Sequence, residues 1–271
     1  SLEISDQHAE EIDEIKEAHW FTAFKDGIDN YNNNNMEAAS QNFAYAVKLK
    51  PNDINAYKNL ALTYSNLGEN EKAVSSLETA VDIKPDDIDL KKTLGIAYYQ
   101  AHQFENAIET FQQVAESTQS DTSQADTYAL AIQHIAFSYD QLGKSEKAIE
   151  AYQKALEVFP GNTDLIYNLG RLYYMQENYE KAIEKFKEIA DADPTDYDAV
   201  YNTAMSYLRA EENEKAIPYF QKAIEIRPES FDAWNNLGVV YVRANMPEKG
   251  KAAFDKADEI KAANNPKQTQ E

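Results

Sequence analysis

The sequence predicts an all-α fold, a solenoid assembled from antiparallel helix pairs. Three observations carry this prediction. Similar residue types return every 34 positions, most regularly from Asp164 to Tyr241. Apolar residues make up 43% of the 271 residues and are spread evenly along the chain, as expected when each short unit buries its face against the next. Gly and Pro number only 8 each, which suits helices joined by brief turns.

The period is clearest in three consecutive units that begin at Thr163, Tyr197 and Phe231. Residues 234–241 read Trp-Asn-Asn-Leu-Gly-Val-Val-Tyr and fit the W-x2-L-G-x2-Y signature of tetratricopeptide repeats. The chain therefore resembles the tetratricopeptide-repeat family. The resemblance implies seven helix-turn-helix repeats that stack into a right-handed superhelix, since no repeat can bury its apolar face alone.

The first element is an acidic helical extension over residues 1–19 that runs on into the first helix of repeat 1. Its main apolar positions are Leu2, Ile4, Ile12 and Ile15. We expect Ile12 and Ile15 to face repeat 1 and to cover the open end of the stack, because a solenoid needs a terminal cap for solubility.

Repeats 1–3 span residues 20–121, and the run of four Asn at 32–35 is expected to form the turn within repeat 1. Seven mostly polar residues, 122–128, interrupt the period as an insertion. This insertion predicts a longer loop that leads into an extended first helix of repeat 4, and it divides the array into blocks of three and four repeats.

Repeats 4–7 span residues 129–264. Pro218 lies inside a predicted helix and should kink it mildly, whereas Pro247 stands at or near the first position of its helix. The polar tail, residues 265–271, is expected to fray.

The chain is strongly acidic. Asp and Glu number 47 against 26 Lys and Arg, a formal net charge of −21. Such a surface repels nucleic-acid phosphates and anionic membrane surfaces, so we expect neither as a partner. No run approaches the roughly 18 apolar residues of a membrane span. We expect a soluble segment without direct membrane insertion; a first residue of Ser1 leaves both a cytoplasmic location and export or anchoring through a trimmed N-terminus open.

Residues that carry chemistry are scarce. The chain has no Cys, and its 4 His residues show no metal-binding spacing. Phosphate-binding glycine loops and the nucleophile motif of hydrolases are absent from the sequence. We therefore expect no catalytic residues, no metal site and no cofactor.

In tetratricopeptide proteins the first helices of successive repeats line a concave groove. The resemblance implies that Asn168, Asn202 and Asn236, which share one position of repeats 5–7, form a ladder along it. An Asn side chain offers both a donor and an acceptor, as a bound peptide backbone requires. The alternative is that these amides only bond locally from helix to helix.

The same resemblance implies that aromatic, sulfur-containing and basic side chains surround the ladder. Three arginines in an acidic chain would create a positive site able to pair with carboxylates. The alternative is that they pair with acidic residues of adjacent helices. These further groove residues are Tyr167, Arg171, Tyr174, Tyr201, Met205, Arg209, Asn235 and Arg243.

A secondary groove is expected in repeats 1–3, where apolar residues accompany two lysines. It would take a more hydrophobic segment or the protein's own N-terminal helix. The complete residue set of the family's carboxylate clamp is not assembled anywhere in the chain, so we do not expect recognition of that ligand. The candidate residues of this groove are Lys58, Asn59, Lys92 and Tyr99.

The leading hypothesis is a non-enzymatic protein–protein interaction scaffold or adaptor. It would bind an extended or helical segment of a partner protein, chiefly through repeats 5–7. The alternative is a self-associating structural protein, a homo-oligomer in which another copy caps the open C-terminal repeat. That second function depends on an uncovered apolar face formed by Ala252, Ala253, Ala257 and Ile260.

Overall fold

The computed structural model describes the backbone of residues 2–264 and the side chains of 11–263 except that of 122. The expected tail, 265–271, and the side chains of Leu2 and Ile4 lie outside the described part. Within it, all regular secondary structure is helical, which confirms the predicted all-α repeat fold. The chain divides into two compact units, Ser1–Ala151 (unit 1) and Tyr152–Glu271 (unit 2).

Fourteen α-helices follow one another in the described residues, and consecutive helices pack as antiparallel neighbours within each unit. Unit 1 holds α1 (Leu2–Asn32), α2 (Met36–Leu49), α3 (Ile54–Asn66), α4 (Asn70–Ile83), α5 (Ile88–Gln100), α6 (Phe104–Thr118) and α7 (Ala125–Gln141). The unit boundary falls within α8 (Ser145–Val158), and unit 2 continues with α9 (Thr163–Met175), α10 (Tyr179–Ala192), α11 (Tyr197–Arg209), α12 (Asn213–Ile226), α13 (Phe231–Arg243) and α14 (Pro247–Asn264).

A polar side chain starts the first helix of most repeats. Asp53, Asp87, Asn162, Asp196 and Ser230 each accept a hydrogen bond from a backbone N–H in the first turn of the helix that follows. These side chains satisfy donors that have no partner inside the helix. The repeated cap is therefore what fixes where each repeat begins.

The turn between the two helices of a repeat depends on one residue in the left-handed backbone region. The predicted Asn turn of repeat 1 is confirmed, with Asn34 at φ 60° between α1 and α2. Equivalent residues recur in every repeat and include five that are not Gly, although this region favours Gly. They are Asn34, Gly68, His102, Gly143, Glu177, Glu211 and Asn245.

Most repeats pack an aromatic ring of their second helix against a small residue of their first. Phe43 and Phe111 of unit 1 are fully buried, and a Cβ added at Gly27 would lie 2.6 Å from the Phe43 ring. In unit 2 the same relation joins Gly238 to Phe254, at 2.6 Å. The small residue thus permits the close approach of helices that lets the ring fill the space between them.

The N-terminal extension is helical but does not cap the stack. Ile12 and Ile15 are 52% and 58% exposed, so the expectation that they cover repeat 1 is wrong. The reason is length, because α1 has 31 residues and its partner α2 only 14. Lys50 follows the last residue of α2, and its Nζ reaches Glu17 at 2.5 Å, so the part of α1 before Glu17 extends past its neighbour.

Two further expectations about the repeats are corrected. The insertion at 122–128 contains no long loop: Thr122–Gln124 forms a 3-10 turn, and 125–128 form the first turn of an extended α7. The C-terminal repeat also lacks the uncovered apolar face, since Ala253, Ala257 and Ile260 are buried by their own unit and only Ala252 is exposed. The basis for self-association through that face is therefore removed.

Both prolines that the sequence analysis considers lie where it places them. Pro247 is the first residue of α14, as predicted, because the first turn of a helix does not need its N–H. Pro218 lies inside α12, which continues through it, and its side chain is exposed.

Candidate functional site

The candidate surface of unit 2 lies on the first helices of its repeats, α9, α11 and α13. The 34-residue spacing gives equivalent positions the same orientation on each helix. Most of the predicted residues are half-buried, which leaves part of each side chain accessible. They are Tyr167, Asn168, Arg171, Tyr174, Tyr201, Asn202, Met205, Asn235 and Asn236, whereas Arg209 and Arg243 are exposed.

Two Asn residues of the expected ladder bond to the preceding repeat. Asn202 Nδ2 donates to Tyr167 Oη at 3.2 Å and to the Asp198 carbonyl at 2.7 Å. Asn236 Nδ2 donates to Tyr201 Oη at 2.8 Å. The expectation that each amide offers its donor to a ligand is therefore wrong for Asn202, both of whose N–H groups are used within the chain.

The remaining Asn residues at this position bond within their own helix. Asn168 Nδ2 donates to the Asp164 carbonyl and Asn59 Nδ2 to the Asn55 carbonyl, each at 2.8 Å. The residue that would accept from Asn59 in the preceding repeat is Phe24, which has no hydroxyl. A bond between repeats therefore forms where a Tyr stands 35 residues before the Asn. All four amides thus donate within the chain, which is the alternative given in the sequence analysis.

The tyrosines that accept these bonds are held by packing. The Tyr167 ring lies 5.4 Å from Phe186, and the Tyr201 ring lies 5.8 Å from Phe220, both edge to face. Burial raises the pKa of Tyr201 to about 12, so its hydroxyl stays protonated. In the described chain no group donates to the Oδ1 atoms of Asn202 and Asn236. The acceptor atoms of both residues are therefore available to a ligand, and Asn236 also keeps one N–H that no described group accepts.

Two arginines on this surface have no carboxylate partner among the described residues. Arg209 Nε donates to Tyr174 Oη at 3.2 Å, which orients the guanidinium and leaves its two terminal nitrogens outward. Arg243 occupies the equivalent position one repeat later and is exposed. The interpretation that acidic residues of adjacent helices neutralise these arginines is wrong for both, while Arg171 Nη1 contacts Met175 Sδ at 3.2 Å.

Apolar side chains lie exposed beside these arginines. Met175, at the position equivalent to Arg209, is 66% exposed, and Val242 is 49% exposed. Large apolar side chains that are this accessible next to unpaired cations are typical of a binding surface. We call the residues Met175, Arg209, Val242 and Arg243 the basic-apolar edge.

An acidic row on the same helices was missed by the sequence analysis. Asp164, Asp198 and Asp232 are exposed in the first turns of α9, α11 and α13. Their 34-residue spacing was the signal that could have revealed them. Negative charge thus lies at the N-terminal ends of these helices, and in α11 and α13 positive charge lies at the C-terminal end, as the helix dipole favours.

Two of the residues predicted to line the secondary groove of unit 1 are engaged by neighbours within the chain. Lys92 Nζ pairs with Asp89 at 2.6 Å, and the Tyr99 ring packs against Phe104 at 5.5 Å. Burial raises the pKa of Tyr99. Lys58 and part of Asn59 remain accessible. The protein's own N-terminal helix does not occupy this groove, because residues 2–32 form one continuous helix.

Other kinds of site were sought in the described part of the chain. No group of three His, Asp or Glu residues there could hold a metal ion. Over the same residues, none of the helices combines the length and apolar composition needed to cross a membrane.

Family models for tetratricopeptide repeats match most of the chain. Models described as "Tetratricopeptide repeat" match residues 54–87, 88–161, 136–197 and 231–264, and one described as "TPR repeat" matches 204–245. Together these matches run from residue 54 to 264 and omit 198–203. No curated protein matches the chain.

Several solved structures share the fold. The chain is similar to the C-terminal part of a TPR repeat-containing protein from Cytophaga hutchinsonii, at 21% identity over 91% of this chain and 97% of that one, with a TM-score of 0.71. A tetratricopeptide repeat protein from Parabacteroides merdae is 16% identical over 90% and 93% of the two chains, with a TM-score of 0.60. A MamA RS-1 ArsTM double mutant is 21% identical over 67% and 98%, with a TM-score of 0.58.

Proposed function

Because this chain belongs to the tetratricopeptide-repeat family, we propose that it is a non-enzymatic protein–protein interaction scaffold whose unit 2 binds an extended or helical segment of a partner protein. The site lies on α9, α11 and α13, in the concave groove that the first helices of such repeats line. The observation that carries the proposal is the basic-apolar edge, where Arg209 and Arg243 stay unpaired beside exposed Met175 and Val242.

Arg209 and Arg243 have no carboxylate partner among the described residues, although acidic residues are abundant in this chain. Eleven lysines of the described residues lie within 4.0 Å of a carboxylate and about as many do not; eight of the eleven pair with an acidic residue three positions away. With 47 acidic residues against 26 basic ones, local partners are abundant. Two guanidiniums left without one therefore support a carboxylate that arrives with the ligand, since Arg pairs with carboxylates through two parallel hydrogen bonds.

The Asn ladder supplies a second kind of contact. The Oδ1 atoms of Asn202 and Asn236 are acceptors, and the Tyr–Asn bonds fix their positions before a ligand arrives. A backbone N–H of the bound segment would donate to each, and one such bond contributes about 0.5–1.5 kcal/mol net. Binding is accordingly expected to depend more on the arginines than on any single Asn.

The test is quantitative affinity capture of partners by the full chain and by the charge-reversed double variant Arg209→Glu/Arg243→Glu. The control is Lys147→Glu/Lys154→Glu, which makes the same total change of charge at two exposed residues of α8 outside the site. We expect the double variant to lose at least nine-tenths of the captured partner and the control to retain it, with equal helicity by circular dichroism. Equal capture by the wild type and the folded double variant would show that these arginines do not contribute to partner binding.

A further inference from the structure

The second helices of unit 2 border three grooves whose floors are first helices. The groove over α9 has a volume of about 390 Å³, the one over α11 about 260 Å³, and the one over α13 about 520 Å³. We call the last the C-terminal groove. Its apolar lining is Ile224, Trp234, Leu237, Tyr241, Ala252 and Ala253. Three of these, Trp234, Leu237 and Tyr241, are the fixed residues of the repeat signature.

The groove over α9 is formed by the residues 68 positions before those of the C-terminal groove. The two linings can therefore be compared position by position. Leu169 and Tyr173 of the earlier groove correspond to Leu237 and Tyr241. Its wall carries the ion pair Lys185–Glu184, at 3.0 Å. At the positions of these two charged residues, the C-terminal groove has Ala253 and Ala252. The C-terminal groove therefore has an apolar wall where the earlier groove has a charged one. Its volume is also larger, about 520 Å³ against about 390 Å³.

The C-terminal groove and Arg243 of the basic-apolar edge lie on opposite faces of α13. Successive residues of an α-helix turn by about 100°. Trp234, Leu237 and Tyr241 consequently fall within about 60° of one another, whereas Arg243 points about 180° from Trp234. A ligand in one site does not compete for the other.

The charged lining of the C-terminal groove is entirely basic. Lys249 and Lys256 flank the apolar residues, and no Asp or Glu lines it. Lys249 Nζ lies 5.7 Å from the centre of the Tyr241 ring and has no ion pair among the described residues. Lys256 pairs with Glu259 at 2.8 Å, but both side chains are exposed, and such a pair is readily exchanged. In a chain of net charge −21, an apolar groove bordered by cations alone is complementary to an acidic ligand.

We propose that the C-terminal groove is a second docking site, for a partner segment that inserts a bulky apolar side chain between Trp234 and Ala252 and sets carboxylates against Lys249 and Lys256. A volume of about 520 Å³ lies within the range of pockets that enclose ligand groups. This site goes beyond the binding function proposed above. It makes the chain an adaptor that can hold two partners on opposite faces of its last repeat.

The experiment selects a displayed library of random 12-residue peptides on the full chain and measures the affinity of the selected peptides. The chain contains 2 Trp, so in a Trp20→Phe background Trp234 is the only one, and its fluorescence reports occupation of the groove directly. The test variant is Ala252→Glu, which introduces the residue type found at Glu184 in the equivalent groove and is therefore compatible with folding.

We expect the selected peptides to combine an aromatic or large aliphatic residue with neighbouring Asp or Glu. Ala252→Glu and Lys249→Glu/Lys256→Glu should each weaken their binding at least tenfold, and Arg243→Glu should leave it unchanged. The proposal would be overturned if the selected peptides were rich in Lys or Arg, or if Ala252→Glu weakened the binding of none of them. A shift of the Trp234 emission maximum as protein concentration rises without peptide would also overturn it, because that shift would assign the groove to a second copy. Because Arg243→Glu affects only the other face, failure here is distinguishable from failure of the proposed function.

Discussion

Substitution of Asn236 by Ala tests whether the Asn–Tyr bonds hold neighbouring repeats together. The variant loses the 2.8 Å bond from Asn236 Nδ2 to Tyr201 Oη, which joins α13 to α11. A half-buried bond of this kind contributes about 0.5–1.5 kcal/mol, whereas Ala exceeds Asn in helix propensity by up to about 0.7 kcal/mol. The two effects oppose each other, so the single variant alone decides nothing.

Asn168→Ala is the matched control, because its amide bonds to the Asp164 carbonyl of its own helix. The propensity gain is the same in both variants, so their difference in unfolding free energy compares the bond between repeats with an exposed bond inside one helix. We expect Asn236→Ala to be less stable than Asn168→Ala by about 1 kcal/mol. Urea unfolding followed by the fluorescence of Trp234, on α13 beside Asn236, provides the measurement.

A double-mutant cycle with Tyr201→Phe completes the test. Removing either partner breaks the same bond, so the effects of Asn236→Ala and Tyr201→Phe should fall short of additivity by about 1 kcal/mol. Effects that add within about 0.3 kcal/mol would refute the reasoning, because the Asn236 amide would then be available to bond to a ligand.

Three further predictions concern backbone, packing and charge. Gly27→Ala places a methyl 2.6 Å from the fully buried Phe43 ring and should lower the melting temperature at a cost of about 1–3 kcal/mol, whereas Gly161→Ala, with nothing within 4 Å, should not. Glu211→Gly removes a non-Gly residue at φ 61° and should raise the unfolding free energy by about 0.5–1 kcal/mol, measured by urea titration. Burial lowers the pKa of His134, so wild-type stability should be complete above about pH 6.5 and fall at lower pH, and a flatter pH profile is expected for His134→Phe; identical profiles would contradict this.

The fold was predictable because each of its parts has a local cause. The 34-residue period gives the helix pairs, and the Asn turn and Pro247 fix individual boundaries. The failures concern places where the period stops. At Ile12 the apolar pattern indicates a buried face, but the length of the neighbouring α2 decides whether anything lies there to bury it. At 122–124 the polar composition indicates a loop, but these residues form a 3-10 turn that leads directly into α7, whose extension was predicted.

The candidate site was predictable as a set of positions but not as a set of contacts. One position in each repeat was identified from its Asn, yet the partner of Asn236 is a Tyr 35 residues earlier, on another helix. Whether such a pair meets depends on the distance between α11 and α13 rather than on the composition of either. The same holds for Arg209, whose bond to Tyr174 also spans 35 residues.

The helix ends explain why Arg209 and Arg243 can remain unpaired without destabilising the fold. Both stand in the last turn of their helices, where the unsatisfied carbonyls and the dipole favour a cation by about 0.3–1 kcal/mol. Several lysines within helices, by contrast, pair with a carboxylate three residues away, as Lys222 does with Glu225. A cation that the helix itself stabilises keeps its hydrogen-bonding groups available to another molecule. Charge at these two positions should therefore matter little for folding and much for binding, which is the separation that the Arg209→Glu/Arg243→Glu capture experiment measures.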